Sequence, residues 1–257
     1  MSVGHRVEYI ALEGIPHVEP GDDLAGLIRQ ALAGMDLKLQ RGDILVLAQK
    51  VVSKAEGRYV RLADVEPSVR ARVLAESVGK DARFLEIVLS ESEEVVKTRP
   101  NVVIAAHRLG FVMANAGIDQ SNIEHRDGEE RVLLLPEDPD GSARQLKASL
   151  DADGALELGI VINDSFGRPW RNGVVGVALG AAGIPSLLSQ IGVADMFGRA
   201  MRVTEIAIAD EISSAASLLM GQASAGLPVI LVRGLKLSGP SSPALALARP
   251  KSQDMFR

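Results

Sequence analysis

Residues 159–173 read GIVINDSFGRPWRNG, and this stretch indicates how the chain is organised. A short apolar run, Ile160 to Ile162, is followed at once by a carboxylate, a hydroxyl and two arginines. A continuous apolar run of this length is typical of a strand covered on both faces of a sheet. In α/β proteins, ligands bind at the carboxyl ends of such strands. The stretch therefore predicts a buried strand that ends in a polar, ligand-binding loop.

Strand-like and helical segments alternate along the chain, which predicts a mixed α/β fold with mixed sheets and flanking helices. Alternating or continuous apolar runs predict strands at 6–12, 43–48, 102–106, 111–114, 202–209 and 228–232, with the third and fourth joined as a hairpin. Apolar residues at helical spacing predict helices at 22–34, 67–78, 81–96 and 210–221, and another that begins near 140. Asp22 and Ser142 are predicted to cap two of these helices.

The composition argues against several classes of protein. The 257 residues include 28 basic and 33 acidic side chains, and this net charge of -5 argues against a general nucleic-acid binder. Without cysteine the chain has no disulfide, thiolate metal site or cysteine nucleophile. No apolar run approaches the roughly 20 residues of a membrane span, and we expect no signal peptide. We therefore expect a cytoplasmic protein whose partners include neither a membrane nor a nucleic acid.

Two polar loops that follow apolar strands supply candidate metal ligands. Asp164 and Ser165 follow the run at 160–162, and the loop at 114–122 carries Asp119 together with amides and a hydroxyl. If the two loops converge, their oxygen atoms suit Mg²⁺ or Mn²⁺. The alternative is that each aspartate is only a turn residue or a helix cap, and the residues alone leave both interpretations open.

Cationic side chains and a loop of small residues add candidate sites for an anion. Arg168 and Arg171 either hold phosphate or carboxylate groups or form surface ion pairs, and Trp170 is expected to pack. Lys54 is either a phosphate ligand or a solvated charge, and the loop at 218–228 either wraps a phosphate or only connects two elements. No P-loop, dinucleotide-binding or G-x-S-x-G motif occurs, so the residues alone name no reaction.

Six motifs then occur in a fixed order along the chain. They are GIP at 14–16 with PGDDL at 20–24, GDILVLAQKVVSKAEGR at 42–58, ANAGIDQSN at 114–122, LLPEDPDGSA at 134–143, NDSFGRPWRNGVVGVALG at 163–180 and ADEISSAASLLMGQ at 209–222. Together they resemble the coenzyme F420-0:L-glutamate ligase family, also called the F420 gamma-glutamyl ligases. The similarity extends from about Glu8 to Arg233, and the chain resembles the stand-alone members, which lack a C-terminal nitroreductase-like domain.

The resemblance implies an enzyme that uses GTP to join L-glutamate to coenzyme F420-0, a deazaflavin phospholactate, with Mg²⁺ or Mn²⁺ and K⁺ as cofactors. The carboxylate of the acceptor attacks the γ-phosphate of GTP, and the amino group of glutamate then displaces phosphate from the acyl phosphate. Further γ-linked glutamates can follow. The family's own mixed α/β fold and an intertwined homodimer are also implied.

Roles for individual residues follow from the same resemblance. The implied metal ligands are Asp119, Asp164, Ser165 and Gln222. The implied nucleotide contacts are Ile15, Pro16, His17, Val18, Gln49, Lys50, Lys54, Asn122, Met220, Gly221, Gln222, Ala223, Ser224, Ala225, Gly226 and Leu227. Gln222 stands where the family often has Glu or Gln, and Ser165 stands where it often has Thr. Gln49 and Lys50 stand where other members often have small hydroxyl residues. Arg168 and Arg171 are the expected catalytic residues, because phosphoryl transfer depends on charge stabilisation.

Two other functions and one question of organisation stay open at this point. The chain could be a metal-dependent GTP or phosphate-ester hydrolase on the same scaffold, or a non-catalytic deazaflavin- or nucleotide-binding protein. We expect residues 1–238 to form a single catalytic unit, with two interleaved α/β lobes as the alternative and weak joints at 126–130 and 150–154. Residues 239–257 are rich in Pro and Ser, so we expect a loose C-terminal arm.

Overall fold

The computed structural model describes residues 6–125 and 128–255 and has the expected mixed α/β fold. Its strands are β1 (Glu8–Ala11), β2 (Ile44–Ala48), β3 (Tyr59–Arg61), β4 (Ser92–Arg99), β5 (Val102–His107), β6 (Val112–Ala114), β7 (Arg131–Leu133), β8 (Gly159–Arg168), β9 (Arg171–Ala182), β10 (Leu188–Ser189), β11 (Glu205–Ile206) and β12 (Val229–Arg233). Its helices are α1 (Leu24–Gly34), α2 (Gln49–Ala55), α3 (Val69–Val78), α4 (Ala82–Ser90), α5 (Pro139–Leu150) and α6 (Ile208–Met220). Arg126 and Asp127, in one of the expected joints, lie outside the described residues.

The central sheet has five strands in the order β1-β12-β2-β8-β9, and only β2 and β8 are parallel neighbours. Both of its faces are covered. Leu45, Leu47 and Ile160 belong to a core shared with α1, α2 and α5, whereas Val46 and Val161 belong to a core shared with α6. Burial of each such aliphatic side chain stabilises the fold by about 1.5–3 kcal/mol. This two-sided burial explains why β2 and the start of β8 are continuously apolar.

A smaller three-stranded sheet, β4-β5-β6, packs with α3 and α4 around a separate cluster that includes Leu85, Val88 and Val103. The hairpin predicted at 107–110 is confirmed, since β5 and β6 pair on either side of it. The chain leaves β6 through Asn115 and Ala116, both with φ of 51°. This tight turn directs the following loop, which carries Asp119, back toward the central sheet.

The stretch at 159–173 differs from its prediction in one respect. β8 does not end before Asp164 but continues to Arg168 and returns as β9, a strand that the sequence did not predict. The register shifts between Ile162 and Asn163, where a bulge interrupts the pairing with β9. The polar residues are therefore part of a strand. The apolar run ends there because β8 extends beyond β2, whose last paired residue, Ala48, lies opposite Asn163.

Two other predicted elements are wrong in part, and one helix was not predicted. The strand predicted at 202–209 is limited to Glu205 and Ile206, because α6 already begins at Ile208. The helix predicted over 81–96 ends at Ser90, and the rest of that range belongs to β4. The segment at 49–55, for which the sequence predicted no element, forms α2. The predicted strands at 43–48 and 228–232 are confirmed as β2 and β12.

Both predicted helix caps are wrong as well. At α1, Asp22 accepts a 2.8 Å hydrogen bond from the Glu19 N–H instead of capping the helix. At α5, the capping side chain is Asp138, which accepts from the Gly141 N–H at 2.9 Å, whereas Ser142 bonds to Glu56 and to the Asp138 carbonyl. In each case a different aspartate, Asp23 or Asp138, occupies the N-cap position instead of the predicted residue.

The segment from Gly239 onward begins with ordered contacts. Ala244 is fully buried, and the buried Asp140 carboxylate accepts hydrogen bonds from the N–H groups of Ala181, Ala244 and Leu245. This start of the segment thus lies against α5 and β9. Across the described ranges, no helix combines the length and the apolar character that crossing a membrane requires.

Candidate functional site

The candidate site lies at the carboxyl ends of the two parallel strands. α2 starts directly after β2, so Gln49 lies beside the strand positions that contain Asn163 and Asp164. Gln49 is buried, and its side chain is held at both ends. Its Oε1 accepts from Ser53 Oγ at 2.8 Å, and its Nε2 donates to Asp119 Oδ2 at 2.5 Å. One turn of α2 therefore orients the amide toward the carboxylate.

Asp119 reaches this position because its backbone is paired with β7. Asp119 and Leu133 exchange two N–H···O bonds of 2.9 Å, and this bridge fixes the end of the 115–119 turn. Lys50 approaches the same carboxylate from α2, and its Nζ lies 2.7 Å from Asp119 Oδ2. Both side chains of this ion pair are about three-quarters buried, so solvent screens the attraction less than at an open surface.

Two neighbouring carboxylates define the electrostatics of the site. Asp164 retains partial exposure, but its pKa is raised to about 7. Desolvation by the surrounding protein is the largest cause and the charge of Asp119 the next, whereas Lys50 lowers the pKa in opposition to both. Desolvation also raises the pKa of Asp119, against the opposing effects of Lys50 and Gln49. Two carboxylates that disfavour each other's ionisation form a pair that a bound cation would stabilise.

A second lysine extends the positive charge of α2. Lys54 is one helical turn beyond Lys50, and burial lowers its pKa, with the charge of Lys50 as the next cause. Glu19, Glu124 and Asp119 act in the opposite direction. Glu19 lies between β1 and α1, and Glu124 follows Asp119 in its loop, so three separate segments meet around the Lys54 ammonium.

The loop after α6 closes another side of the site. α6 ends at Met220, and the chain turns through Gly221, which has φ of 68°. Asn122 Nδ2 donates to the Ala223 carbonyl at 3.2 Å and so joins the Asp119 loop to this loop. Asn163 Nδ2 donates to Ser217 Oγ at 3.1 Å. Residues 221–226 are exposed, which leaves their backbone accessible to a ligand.

The structure thus brings together many of the residues singled out in the sequence. Asp119, Asp164, Gln49, Lys50 and Lys54 form one cluster, with the exposed Gln222 in the neighbouring loop. Between β1 and α1 lies the segment that contains Ile15, Pro16, His17 and Val18. Val18 is buried in the central core, and Pro16 and His17 are exposed.

Three predicted site residues have different surroundings. Ser165 pairs with Gly176 of β9, and a Cβ added to Gly176 would meet atoms of α6. Because paired residues face the same side of a sheet, the Ser165 side chain faces α6. Successive side chains alternate along a strand, so Asp164 faces the opposite side. Arg168 and Arg171 pair with each other at the tip of the β8–β9 hairpin. Arg168 lies four residues beyond Asp164, about 13 Å along the strand. The structure therefore does not place the two arginines beside the carboxylates.

Trp170, which was expected to pack, is 82% exposed at the same hairpin tip, so this prediction is wrong. Some residues of the site were not identified from the sequence at all. Ser53 orients Gln49, and Asn163 links β8 to α6. An i, i+4 pair of polar residues on a predicted helix would have indicated Ser53, but α2 itself was not predicted. Asn163 gave only the signal of a polar residue directly after an apolar run.

The donor set fits a divalent cation that is shared with a ligand. Within residues 6–125 and 128–255, no three histidine, aspartate or glutamate side chains gather into a metal-binding group. Asp119 and Asp164 would therefore supply two carboxylates, and other oxygen atoms would have to complete the shell. Mg²⁺ is commonly bound by one or two carboxylates together with water and substrate phosphates. The chemistry of the cluster matches this arrangement.

The fold and the site together define a mixed α/β protein with an acidic, lysine-lined site at the ends of two parallel strands. The family model of F420-0:Gamma-glutamyl ligase matches residues 14–234. The chain therefore belongs to the F420-0:gamma-glutamyl ligase family, and it is an enzyme of the ligase class.

Individual relatives agree with this family assignment over nearly the whole chain. The protein is 44% identical to the coenzyme F420:L-glutamate ligase of Methanopyrus kandleri, over 98% of this chain and 97% of the relative. It is 42% identical to the protein of that name from Methanothermobacter thermautotrophicus, over 98% of this chain and 99% of the relative. The same name and identity apply to a relative from Archaeoglobus fulgidus.

Proposed function

We propose that the protein is a GTP- and divalent-metal-dependent ligase that adds L-glutamate to coenzyme F420-0. The observation that carries the proposal is the Asp119–Asp164 pair with Lys50 and Lys54 beside it, at the strand ends of a chain from this family. The carboxylates suit Mg²⁺ or Mn²⁺, and the ammonium groups suit phosphates. An anionic nucleotide whose phosphates lie between them would satisfy both sets of charges.

The reaction follows two balanced steps. A carboxylate oxygen of the acceptor attacks the γ-phosphorus of GTP, the bond to the β-phosphate oxygen breaks, and GDP leaves. The amine nitrogen of L-glutamate then attacks the acyl carbon, the bond to the phosphate oxygen breaks, and the amine loses a proton. When bound, the divalent cation neutralises phosphate charge. Such chemistry needs positioning and charge stabilisation more than a nucleophilic side chain.

The protein's own residues would divide this work by location. Asp119 and Asp164 hold the cation, and the family resemblance adds Ser165 and Gln222 as ligands. Each of these two would have to turn toward the carboxylates, since Ser165 faces α6 and Gln222 is exposed. K⁺ is a further proposed cofactor.

The remaining proposed contacts surround the cluster. The nucleotide contacts are Lys54, Asn122, the segment 15–18 and the backbone of residues 220–227. Arg168 and Arg171 contact the acidic acceptor rather than the phosphates, because they lie at the hairpin tip.

A homodimer is also proposed, because large apolar side chains are exposed in two segments of the chain. The exposed side chains are Trp170, Val174, Ile191, Val193, Met196, Phe197 and Val203, in the β8–β9 hairpin and the excursion between β10 and β11. Large exposed apolar groups of this kind mark interaction surfaces. Light scattering after size exclusion should give a mass of twice 27.2 kDa. A monomeric mass at micromolar protein would contradict the dimer.

Mass spectrometry of a complete reaction tests the proposed activity. Purified protein is incubated with coenzyme F420-0, L-glutamate, GTP and Mn²⁺. Products heavier by one or more glutamyl units would support the ligase and give the length of the glutamate tail. These products should be absent when GTP or Mn²⁺ is omitted, or when ATP replaces GTP. Release of GDP without glutamylated product would instead support a hydrolase. Absence of both products, with nucleotide binding intact, would support a binding protein.

A further inference from the structure

One oxygen atom of the site has two donors. Asp119 Oδ2 accepts from Gln49 Nε2 at 2.5 Å and lies 2.7 Å from Lys50 Nζ. The two donors differ in freedom. Gln49 is buried and fixed by Ser53, whereas Lys50 is one-quarter exposed and ends a flexible four-carbon stem. The ammonium is thus the mobile partner of the carboxylate.

A divalent cation and the Lys50 ammonium would both be attracted to the negative charge of the Asp119 carboxylate. A metal–oxygen distance of about 2.1 Å at Oδ2 would bring the cation to within roughly 4–5 Å of an ammonium that stays at 2.7 Å. At that distance the two positive charges repel strongly in a partly desolvated site. Lys50 must therefore move when a cation binds Asp119, or the cation binds weakly.

Another part of the site offers Lys50 an alternative partner. Lys50 and Lys54 are four residues apart on α2, so their side chains leave the same face of the helix. The charge of Lys50 is close enough to contribute to the lowered pKa of Lys54. An anion bound by Lys54 would therefore also attract Lys50 and draw it away from Asp119.

We propose that Lys50 competes with the divalent cation for Asp119 and that nucleotide phosphates relieve this competition. The inference rests on the proposed function, because it takes Asp119 as a metal ligand and a nucleotide as the anion. Lys50 then makes the binding of cation and nucleotide cooperative. Each ligand strengthens the other by the same factor, as linkage requires. The cation binds weakly until the nucleotide is present.

Titration of Mn²⁺ against the purified full-length protein, followed by the electron paramagnetic resonance of free Mn²⁺, tests the competition without turnover. In the absence of nucleotide, Lys50→Met should bind Mn²⁺ about tenfold more tightly than the unmodified protein, because its side chain is similar in length but uncharged. Lys50→Arg, which keeps the charge, should stay within about threefold of the unmodified protein. Saturating GDP should strengthen Mn²⁺ binding more in the unmodified protein than in Lys50→Met.

Lys54→Met is the matched control, since it removes the same charge one turn further along α2. It should change the Mn²⁺ affinity less than Lys50→Met does. Equal affinity for Lys50→Met and the unmodified protein, or an equal gain in Lys54→Met, would overturn the competition while leaving the ligase proposal intact. A Mn²⁺ affinity that Asp119→Asn does not change would refute the metal site itself, and with it both proposals. Circular dichroism melts confirm that each variant folds.

Discussion

The Gln49 amide donates to Asp119 while its carbonyl is held by Ser53, so one buried side chain connects the first turn of α2 to the β7-paired loop. This connection joins parts of the protein that are 70 residues apart in sequence. Gln49 is also next to Lys50, the other partner of the same carboxylate oxygen. The geometry of the carboxylate pair therefore depends on how α2 is seated against β8.

Replacing Ser53 with alanine tests the importance of this connection. Ser53→Ala removes the hydrogen that holds Gln49 Oε1 and leaves a buried acceptor unpaired, so the free energy of unfolding should fall by about 1–2 kcal/mol. If Gln49 orients Asp119, the half-saturating concentration of Mn²⁺ should also rise. Urea unfolding and Mn²⁺ titration measure the two effects. Ser77→Ala is a suitable control, because Ser77 is an exposed helical serine that donates to a local carbonyl. An unchanged Mn²⁺ affinity would show that Asp119 does not need Gln49 to be fixed.

Substitution of the carboxylates tests the site directly. Asp164→Asn or Asp119→Asn should lower the ligase rate by at least about 100-fold, because each would remove a charged ligand of the cation. Neither change should unfold the protein. Burial, together with the charge of Asp119, raises the pKa of Asp164 to about 7. Without metal, the ionised form of Asp164 therefore weakens folding at neutral pH, and Asp164→Asn should melt no lower than the unmodified protein. Glutamyl transfer by mass spectrometry and thermal melting measure both effects. A near-normal rate in either variant at limiting metal would exclude a shared site.

The sequence predicted the central features of this arrangement because they depend on local patterns. The apolar runs of β2 and β8 are continuous because both faces of each strand are covered, and a polar residue follows when the cover ends. Lys54 and Asp119 were identified in this way together with the family resemblance, whereas the role of Lys50 came from the resemblance alone. Their meeting point also follows a general rule, that ligands gather at the carboxyl ends of parallel strands.

Features that depend on tertiary pairing were not predictable from local patterns. β8 continues through Asp164 and Ser165 because β9 pairs with it, and the polar sequence of this region gives no apolar signal. Because successive side chains of a strand point to opposite faces of the sheet, Asp164 and Ser165 face opposite sides. A loop would not have set their directions in this way. Likewise α2 is only seven residues long and begins immediately after a strand, so its helical period is too short to be recognised.

A glycine in β9 controls how closely α6 approaches the sheet. An alanine Cβ at Gly176 would lie 2.2 Å from Ser217 Oγ and 2.3 Å from the Ser213 carbonyl oxygen, and the second of these is backbone. Gly176→Ala should therefore push α6 away and lower the free energy of unfolding by about 1–3 kcal/mol. Since α6 leads into the 220–227 loop, the KM for GTP should rise more than kcat falls. Gly167→Ala in β8 is the matched control, because an added Cβ there meets no atom within 4 Å. Equal stability of the two variants would contradict the close approach of α6.

Stability at low pH should depend on Glu91, which joins the smaller sheet to the segment after α2. Glu91 Oε2 lies 3.4 Å from His107 Nε2, 3.3 Å from Arg108 Nε and 3.4 Å from Arg58 Nη2. The contact with His107 lowers the pKa of Glu91, burial opposes this, and the two guanidinium groups lower the pKa further.

A carboxyl group whose folded pKa is depressed contributes stability above its unfolded pKa of about 4.3 and loses it as the pH falls through the folded value. Glu91→Gln should therefore cost about 1–2 kcal/mol of unfolding free energy at pH 7, and this difference should shrink as the pH is lowered from 5 toward 3. Urea unfolding at several pH values measures the change. Glu66→Gln is the control, since Glu66 is highly exposed and pairs with a surface arginine. A penalty for Glu91→Gln that stayed constant from pH 7 to pH 3 would show that the charge of Glu91 is not what holds these segments together.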